Sequence, residues 1–329
     1  MNFHRPVSRR LVGLFGVAMA GAALQPIPAT AQQWPAKPIR MIVPYSAGGG
    51  ADNAARILAQ RLGTVLRTTV VVENRPGASG IIGAQAVAKA DPDGHTMLYD
   101  ASTFAVNPSL RKMPFDPITD LMPVSLVLTV PNILVVSPKG AVADLKAFVA
   151  RARAEPNKVS FASYGAGSPA HLAGELLNRE ARIGMLHIPY KGGAPALADV
   201  IGGQVDAYFA NAGSALGYVR SGQLKALAVT SRQRMAALPE VRTVAESGFP
   251  DFEVLEWNGL FVPKGTAQPI VDRLSSEIQA VVRDPETRAR LDKLGADPVG
   301  GTPAEFATFI AGQTRRWAQL IKTNKITAD

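Results

Sequence analysis

The sequence contains no cysteine, which excludes disulfide frameworks, zinc–thiolate sites, iron–sulfur clusters and cysteine nucleophiles. Charged residues are also scarce, at 19% of the 329 residues, compared with about 25% in average soluble proteins. Beyond residue 31, no apolar run reaches the roughly 20 residues that a membrane-spanning helix needs. Because 47% of the residues are hydrophobic, the chain can still build one large core or two ordinary ones.

The N-terminal 31 residues have the pattern of a secretory signal peptide. Arg9 and Arg10 belong to a basic start, residues 11–24 form an uncharged apolar run, and residues 29–31 (Ala-Thr-Ala) match a cleavage site. The run is short for a membrane span, but an uncleaved anchor helix is the alternative. We therefore expect cleavage near Ala31 and a periplasmic protein, exported by either the Sec or the twin-arginine route.

The positive charge of the chain gives weak information about its partners. The net charge is +9 at pH 7, and it falls to about +6 when the three arginines of the leader are removed. This charge favours small anions, but the Lys and Arg residues are dispersed and not interleaved with aromatic side chains, as they would be on a nucleic-acid-binding surface. We expect no nucleic-acid partner.

Apolar runs of strand length alternate with helical periodicity along the rest of the chain. Residues 39–43 predict a buried strand, and the helix after them places Ile57, Leu58 and Leu62 on one face. This order is typical of an α/β protein with mainly parallel sheets covered by helices. The predicted units are lobe 1, residues 32–130 plus 258–329, and lobe 2, residues 131–257. The pattern alone leaves open which lobe receives the C-terminal helices.

A Gly-rich loop between a strand and a helix occurs in each half of the chain. The first loop is residues 44–52 (PYSAGGGAD), and the second loop is residues 163–172 (SYGAGSPAHL). Each leaves amide groups unpaired at a helix N-terminus, where the helix dipole favours a carboxylate or phosphate. Ligands of open α/β sheets bind at such loops, at the carboxyl ends of the strands. For a single loop, plain turn chemistry is the alternative.

Several side chains near these loops are candidate ligand contacts. Asp52 either complements the dipole of its helix or accepts a hydrogen bond from a ligand, and Asp206 could do the same from the opposite wall. His171 falls in the first turn of its helix, as a cap, a ligand contact or a surface residue. Tyr45 and Tyr190 either pack in the core or cover a small ligand.

The sequence lacks the complete motifs of several other functional classes. A Gly-x-Gly-x-x-Ala pattern from Gly165 resembles a dinucleotide fingerprint, but Met185 stands where an acid would bind the ribose. The first loop lacks the Gly-Lys-Ser/Thr of a P-loop, the loop serines lack a nucleophile elbow, and there is no His-Glu-x-x-His pair. We therefore predict no catalytic residue, no cofactor and no metal site.

A series of motifs covers the chain after the leader. They are WPAKPIR (34–40), VPY (43–45), GGGAD (48–52), VVENRPGA (71–78), PDG (92–94), GAGS (165–168), HLAGE (171–175), HIPYKG (187–192), GGQVD (202–206), LAVT (227–230) and ALP (237–239). In this order they resemble the Bug-type extracytoplasmic solute receptors, the substrate-binding proteins of tripartite tricarboxylate transporters.

The resemblance implies a periplasmic-binding-protein fold of two α/β lobes, joined by two crossover segments and closing over one solute in the cleft between them. It also implies that ligand carboxylates are held by the two loops, largely through main-chain groups and ordered water. On this analogy, the ligand-binding residues are Tyr45, Ala47, Gly48, Gly49 and Asp52 in one jaw, and Ala166, Gly167, Ser168, His171 and Asp206 in the other.

These features together predict a monomeric, non-enzymatic receptor that binds a small carboxylated metabolite and delivers it to membrane permease subunits. The alternatives are a receptor that signals to a membrane partner and, less favoured, a periplasmic enzyme acting on a carboxylate. Valine in place of Gly48 or Gly167 is expected to abolish binding without changing the thermal stability of the ligand-free protein.

Overall fold

The computed structural model describes Met1, residues 34–140 and residues 142–328. The predicted signal peptide and its cleavage site at Ala31 lie outside the described residues. Trp34–Asp329 is one packing unit. Over the ranges described, no helix combines the length and the apolar character needed to cross a membrane.

The first part of the chain builds three parallel strands with helices between them. The elements are β1 (Ile39–Val43), α1 (Gly50–Leu66), β2 (Val70–Asn74), α2 (Ile81–Ala88), β3 (Thr96–Ala101) and α3 (Thr103–Leu110). β1 lies between β2 and β3 and is parallel to both. α1 buries the face formed by Ile57, Leu58 and Leu62, as its periodicity predicts.

The middle of the fold consists of two long strands, β4 (Leu121–Val136) and β9 (Leu255–Pro263). They run antiparallel to each other from the pair Leu121–Pro263 to the pair Pro131–Leu255. On its other edge, β9 pairs antiparallel with β3. From Asn132 onward, β4 leaves β9 and pairs with strands of the second part of the chain. β4 therefore belongs to two sheets.

The second part repeats the alternation of helices and strands. Its elements are α4 (Leu145–Ala154), β5 (Ser160–Ser163), α5 (Pro169–Ala181), β6 (Leu186–Pro189), α6 (Gly193–Gly202), β7 (Ala207–Asn211), α7 (Ala212–Arg220) and β8 (Lys225–Val229). β5 is parallel to β6 and β7, whereas β7 and β8 run antiparallel to the end of β4. Gly174 brings α5 close to β5, because a Cβ at Gly174 would lie 2.0 Å from the Phe161 ring.

The C-terminal segment follows β9 and consists of α8 (Gln268–Arg283), α9 (Pro285–Asp292), β10 (Asp297–Pro298) and α10 (Pro303–Asn324). α8 packs on α1 and β4, and α10 packs on α3, β4 and α5. A capping box between Thr302 and Glu305 starts α10, and its buried face includes Phe306, Ile310 and Trp317. The C-terminal helices thus pack mainly on the first part of the fold.

The predicted α/β class is confirmed, but the strands form a mixed rather than a mainly parallel arrangement, because β4 and β9 run against their neighbours. The sequence pattern predicts only the last residues of β4 and misses α3 and α7. Pro123 and Pro131 lie within β4, and Pro108 lies within α3. Proline disfavours the interior of a strand or helix, but at these three positions tertiary packing outweighs this local preference.

Candidate functional site

The two Gly-rich loops lie at the carboxyl ends of β1 and β5 and lead into α1 and α5. A cavity of about 210 Å³ lies between them. Its wall combines both halves of the chain. The residues are Tyr45 in the first loop, Gly49, Gly50 and Ala51 at the start of α1, Ala101, Ser102 and Thr103 from the end of β3 to the start of α3, Tyr164 in the second loop, Pro169 at the start of α5, and Glu256 in β9. The volume is below the roughly 300–1,000 Å³ of pockets for drug-sized ligands, so a small metabolite fits better.

The start of α1 forms part of the wall of this cavity. The N-cap residue is Gly49, which has no side chain, and no described side chain accepts a capping hydrogen bond from the first amides of this helix. The first amides of a helix have no intrahelical acceptor, and the helix dipole makes their surroundings positive. Because Gly50 and Ala51 line the cavity, the amides at this helix start can bind a carboxylate there.

Asp52 lies behind the first loop and braces it. Its buried carboxylate accepts hydrogen bonds from the Gly48 amide at 2.8 Å, Arg56 Nε at 2.9 Å and Asn74 Nδ2 at 2.8 Å. Burial acts to raise the pKa of Asp52, but the hydrogen bonds from Arg56, Gly48 and Asn74 outweigh it and lower the pKa. The ionised carboxylate therefore holds the loop, and the protein itself supplies its hydrogen-bond donors.

The second loop uses several of its amides internally. The Gly165 amide donates to Ser163 Oγ at 3.1 Å, and the Gly167 amide donates to His171 Nδ1 at 3.1 Å. Ser168 caps α5 by accepting from the His171 amide. The prediction that both loops offer free amides therefore fits the first loop better, while the second contributes Tyr164 to the cavity wall.

The structure divides the predicted ligand-binding residues. Tyr45 and Gly49 line the cavity; Asp52 and His171 support the loops. Other predicted residues lie in the loops but outside the cavity wall: Ala47, Gly48, Ala166, Gly167 and Ser168. Their roles as ligand contacts remain predictions.

Asp206 is not brought to the cavity. Its carboxylate accepts hydrogen bonds from Arg151 Nη2 at 2.9 Å and from the Ser160 amide at 2.9 Å. Ser160 begins β5, so Asp206 lies at the amino end of this strand, whereas the second loop follows its carboxyl end. Tyr190 is also engaged elsewhere, since its hydroxyl donates to Asp199 Oδ2 at 2.6 Å.

The expectation that valine at Gly48 or Gly167 leaves stability unchanged is wrong on backbone grounds. Gly48 has φ +80° and Gly167 has φ +75°, a region that costs a residue with a Cβ roughly 1–2 kcal/mol. A Cβ at Gly167 would also lie 2.4 Å from Leu110 Cδ1. Neither position therefore separates binding from folding.

His171 is part of a stacked histidine pair beneath the second loop. Its ring lies 3.7 Å from the ring of His187, centroid to centroid, with 8° between the planes. Burial, and to a lesser extent His187, lowers the pKa of His171 to about 3. Because Nδ1 accepts a hydrogen bond from Gly167, the neutral ring carries its proton on Nε2. The geometry of the loop therefore depends on an uncharged His171.

The sequence pattern did not identify the cavity residues that follow β3 or the acid in β9. The Tyr164 hydroxyl donates to Glu256 Oε1 at 2.5 Å. Burial raises the pKa of Glu256, and hydrogen bonds from Tyr164 and Asn211 partly oppose this. A single acid in a strand of otherwise uncharged residues is the signal that could have identified Glu256. For Ser102 and Thr103, the signal is their place at the carboxyl end of a strand.

Tyr45 joins the cavity wall to a second buried acid. Its hydroxyl donates to Asp100 Oδ1 at 2.6 Å and lies 2.6 Å from Thr103 Oγ1. Burial raises the pKa of Asp100 to about 7, although Tyr45 and the Ala101 amide act in the opposite direction. Burial, with the charge of Asp100, raises the pKa of the Tyr45 phenol far above its usual value. The phenol therefore remains protonated at the cavity wall.

A larger surface depression, of about 420 Å³, is lined by basic residues that include Lys37, Arg40 and Lys89. It lies at the amino ends of β1 and β3, opposite to the ends where α/β sheets bind ligands. Lys37 pairs with Asp93 at 2.9 Å, and Arg40 pairs with Glu73 at 2.7 Å. Because nearby acids balance these cations, the depression is a weaker candidate for an anion site.

Comparison with known proteins agrees with the motifs. The model of the tripartite tricarboxylate transporter family receptor matches residues 54–326. BugT of Bordetella pertussis is 39% identical, with 95% of this chain and 97% of BugT covered. The structure of the periplasmic binding protein BugD is 37% identical, with a TM-score of 0.77, and covers 90% of this chain and 100% of its own.

A second solved structure is Rpa4515 of R. palustris with adipate. It is 32% identical to this chain, has a TM-score of 0.80, and covers 90% of this chain and 100% of its own. The family model includes both parts of the fold and the second Gly-rich loop, and it begins two residues after the first loop. The chain therefore belongs to the tripartite tricarboxylate transporter receptor family.

Proposed function

We propose that the protein is a periplasmic, monomeric and non-enzymatic receptor that binds a small carboxylated metabolite between the two loops and delivers it to a tripartite tricarboxylate-type permease. One observation carries the proposal: the uncapped start of α1 and the start of α5 form walls of the same small cavity. A helix start supplies amides and a positive dipole end to an anion. The second wall, with Tyr164, encloses the rest of the ligand.

We propose further that residues 32–130 plus 258–329 form one lobe and residues 131–257 the other. The register of β4 supports these boundaries, because β4 pairs with β9 up to Pro131 and with β7 and β8 from Asn132. The other boundary lies within β9. A ligand that contacts both walls binds better when they approach, so it would favour a closed state by bending these two strands.

The identity of the ligand class draws on a relative. Rpa4515, which matches along its whole length, is described with adipate, a dicarboxylate. A carboxylate-binding wall at the start of α1 would explain how this cavity holds an acid although none of the described residues that line it is Lys or Arg. The specificity for a particular acid would then come from the second wall, which contains Tyr164.

Purified protein is expected to bind at least one acid of a panel containing adipate, malate, succinate and hexanoate. A ligand at 100 times its Kd stabilises the folded state by about 2.7 kcal/mol, which corresponds to a rise in melting temperature of about 5 °C. The rise should increase with acid concentration, and calorimetry should give one site per chain.

Adipamide is the matched control, because it keeps the length of adipate but replaces both carboxylates with neutral amides. Equal stabilisation by adipamide, or no stabilisation by any acid, would refute the carboxylate receptor. Uptake of the radiolabelled acid by cells with and without the gene separates transport from signalling. Loss of uptake without the gene supports delivery to a permease, and unchanged uptake argues against it.

A further inference from the structure

Glu256 places a carboxyl group in the wall of the cavity. Among the described residues that line this cavity, none is Lys or Arg, and Glu256 is the acid. Asp100, a second carboxyl group, lies directly behind Tyr45 and binds its hydroxyl. The cavity thus combines a positive helix start with two nearby carboxyl groups, Glu256 in its wall and Asp100 behind Tyr45.

The hydrogen bonds of Glu256 leave room for a ligand. An ionised carboxylate offers about four acceptor positions. The protein supplies one donor from Tyr164, at 2.5 Å from Oε1, and one from Asn211. The Glu256 side chain lines the cavity, so its remaining acceptor capacity can face a bound molecule. A donor on the ligand would complete this set.

A second carboxylate at the same place would meet the opposite situation. Two carboxylates that share a site cannot both remain ionised without a large cost, unless a cation or a shared proton lies between them. Of the residues that the structure describes in this wall, none is a cation. An ammonium or hydroxyl group, by contrast, donates a charge-assisted hydrogen bond to Glu256.

We infer that the ligand is a carboxylic acid with a hydrogen-bond donor, either an ammonium or a hydroxyl group, at the end away from the carboxylate, and that Glu256 selects for this donor. The inference rests on the proposed function, since it assumes that the start of α1 holds the carboxylate. Glu256 then determines which acids bind, whereas the first loop determines that an acid binds.

Calorimetry with acids of matched length tests this selection. The six-carbon set is hexanoate, 6-hydroxyhexanoate, 6-aminohexanoate and adipate, and the four-carbon set is butyrate, 4-hydroxybutyrate, 4-aminobutyrate and succinate. In the set whose length fits, we expect a donor-bearing acid to bind at least tenfold more tightly than the dicarboxylate and the unsubstituted acid. Whichever of the hydroxyl-bearing acid and the amino-bearing acid binds more tightly identifies the donor group that Glu256 prefers.

Glu256→Gln should remove the preference while keeping an oxygen for the Tyr164 hydrogen bond. We expect the donor-bearing acid to lose at least tenfold in affinity and the dicarboxylate to gain. Glu253→Gln is the matched control, because Glu253 precedes the same strand but pairs with Arg232 outside the cavity, and it should leave the ranking unchanged.

The outcomes separate the inference from the proposed function. If acids bind but the donor gives no advantage in the wild-type protein, or if the advantage persists in Glu256→Gln, the inference is refuted while the carboxylate receptor stands. If no acid of either set or of the first panel binds, the proposed function fails. The wild-type measurements decide the ligand preference even if the variant does not fold.

Discussion

Replacement of Gly50 with leucine is expected to lower the affinity for the acid ligand by about 100-fold or more, with the ligand-free protein as stable as wild type. Gly50 is the first residue of α1 and lines the cavity, and a Cβ there meets nothing within 4 Å. The leucine side chain would occupy ligand space and screen the helix amides. Loss of two charge-assisted hydrogen bonds, at about 1.5–3 kcal/mol each, accounts for the effect.

The folded state should tolerate this change, because leucine has a higher helix propensity than glycine by somewhat less than about 1 kcal/mol. Gly217→Leu is the matched control: Gly217 lies in α7, its Cβ would also meet nothing within 4 Å, and it is outside the cavity wall. Calorimetry should find wild-type affinity in Gly217→Leu. Wild-type affinity in Gly50→Leu would place the ligand elsewhere.

Replacement of His171 with asparagine is expected to change how the stability of the protein depends on pH. Folding lowers the pKa of His171 from 6.5 to about 3, so the unfolded chain binds a proton that the folded protein does not. This contribution to stability is complete above pH 6.5 and is lost as the pH falls toward 3. Between pH 6.5 and 4.5 the loss amounts to about 2 kcal/mol.

Asp100 acts in the opposite sense, because folding raises its pKa to about 7, and its contribution is lost as the pH rises through this value. The comparison of wild type with His171→Asn removes this shared effect. Denaturant unfolding should show that wild type loses about 3 kcal/mol more than the variant between pH 7.5 and 4.5. An equal loss in both proteins would show that His171 titrates normally in the folded state, contrary to its buried, stacked position.

Particular residues show how far the sequence determines the fold. Residues 39–43 predict β1 with the bounds that the structure has, because they form an apolar run of strand length directly before a Gly-rich loop. The first part of β4 was missed, because its two prolines argue against a strand. Prediction of the mixed pairing would require knowledge of which strands meet in space, and the alternation of strands and helices along the chain does not contain it.

The candidate site was predicted in the same partial way. Local chemistry identifies the two loops, since glycines, Ser168 and Pro169 mark helix starts. It does not reveal that the Gly167 amide is taken by His171, because that contact depends on the rotamer of a buried ring. It also does not join Tyr164 to Glu256, residues 92 positions apart in the chain. Long-range pairs of this kind arise from the packing of β9 against both parts of the fold.

A crystal structure of the protein with the panel acid that binds most tightly tests the central claim most directly. We expect one ligand carboxylate within about 3.2 Å of the amide nitrogens of Gly50 and Ala51, with Tyr164 on the opposite side of the ligand. A carboxylate bound instead in the depression beside Lys37 and Arg40, with the start of α1 making no contact to the acid, would contradict the account.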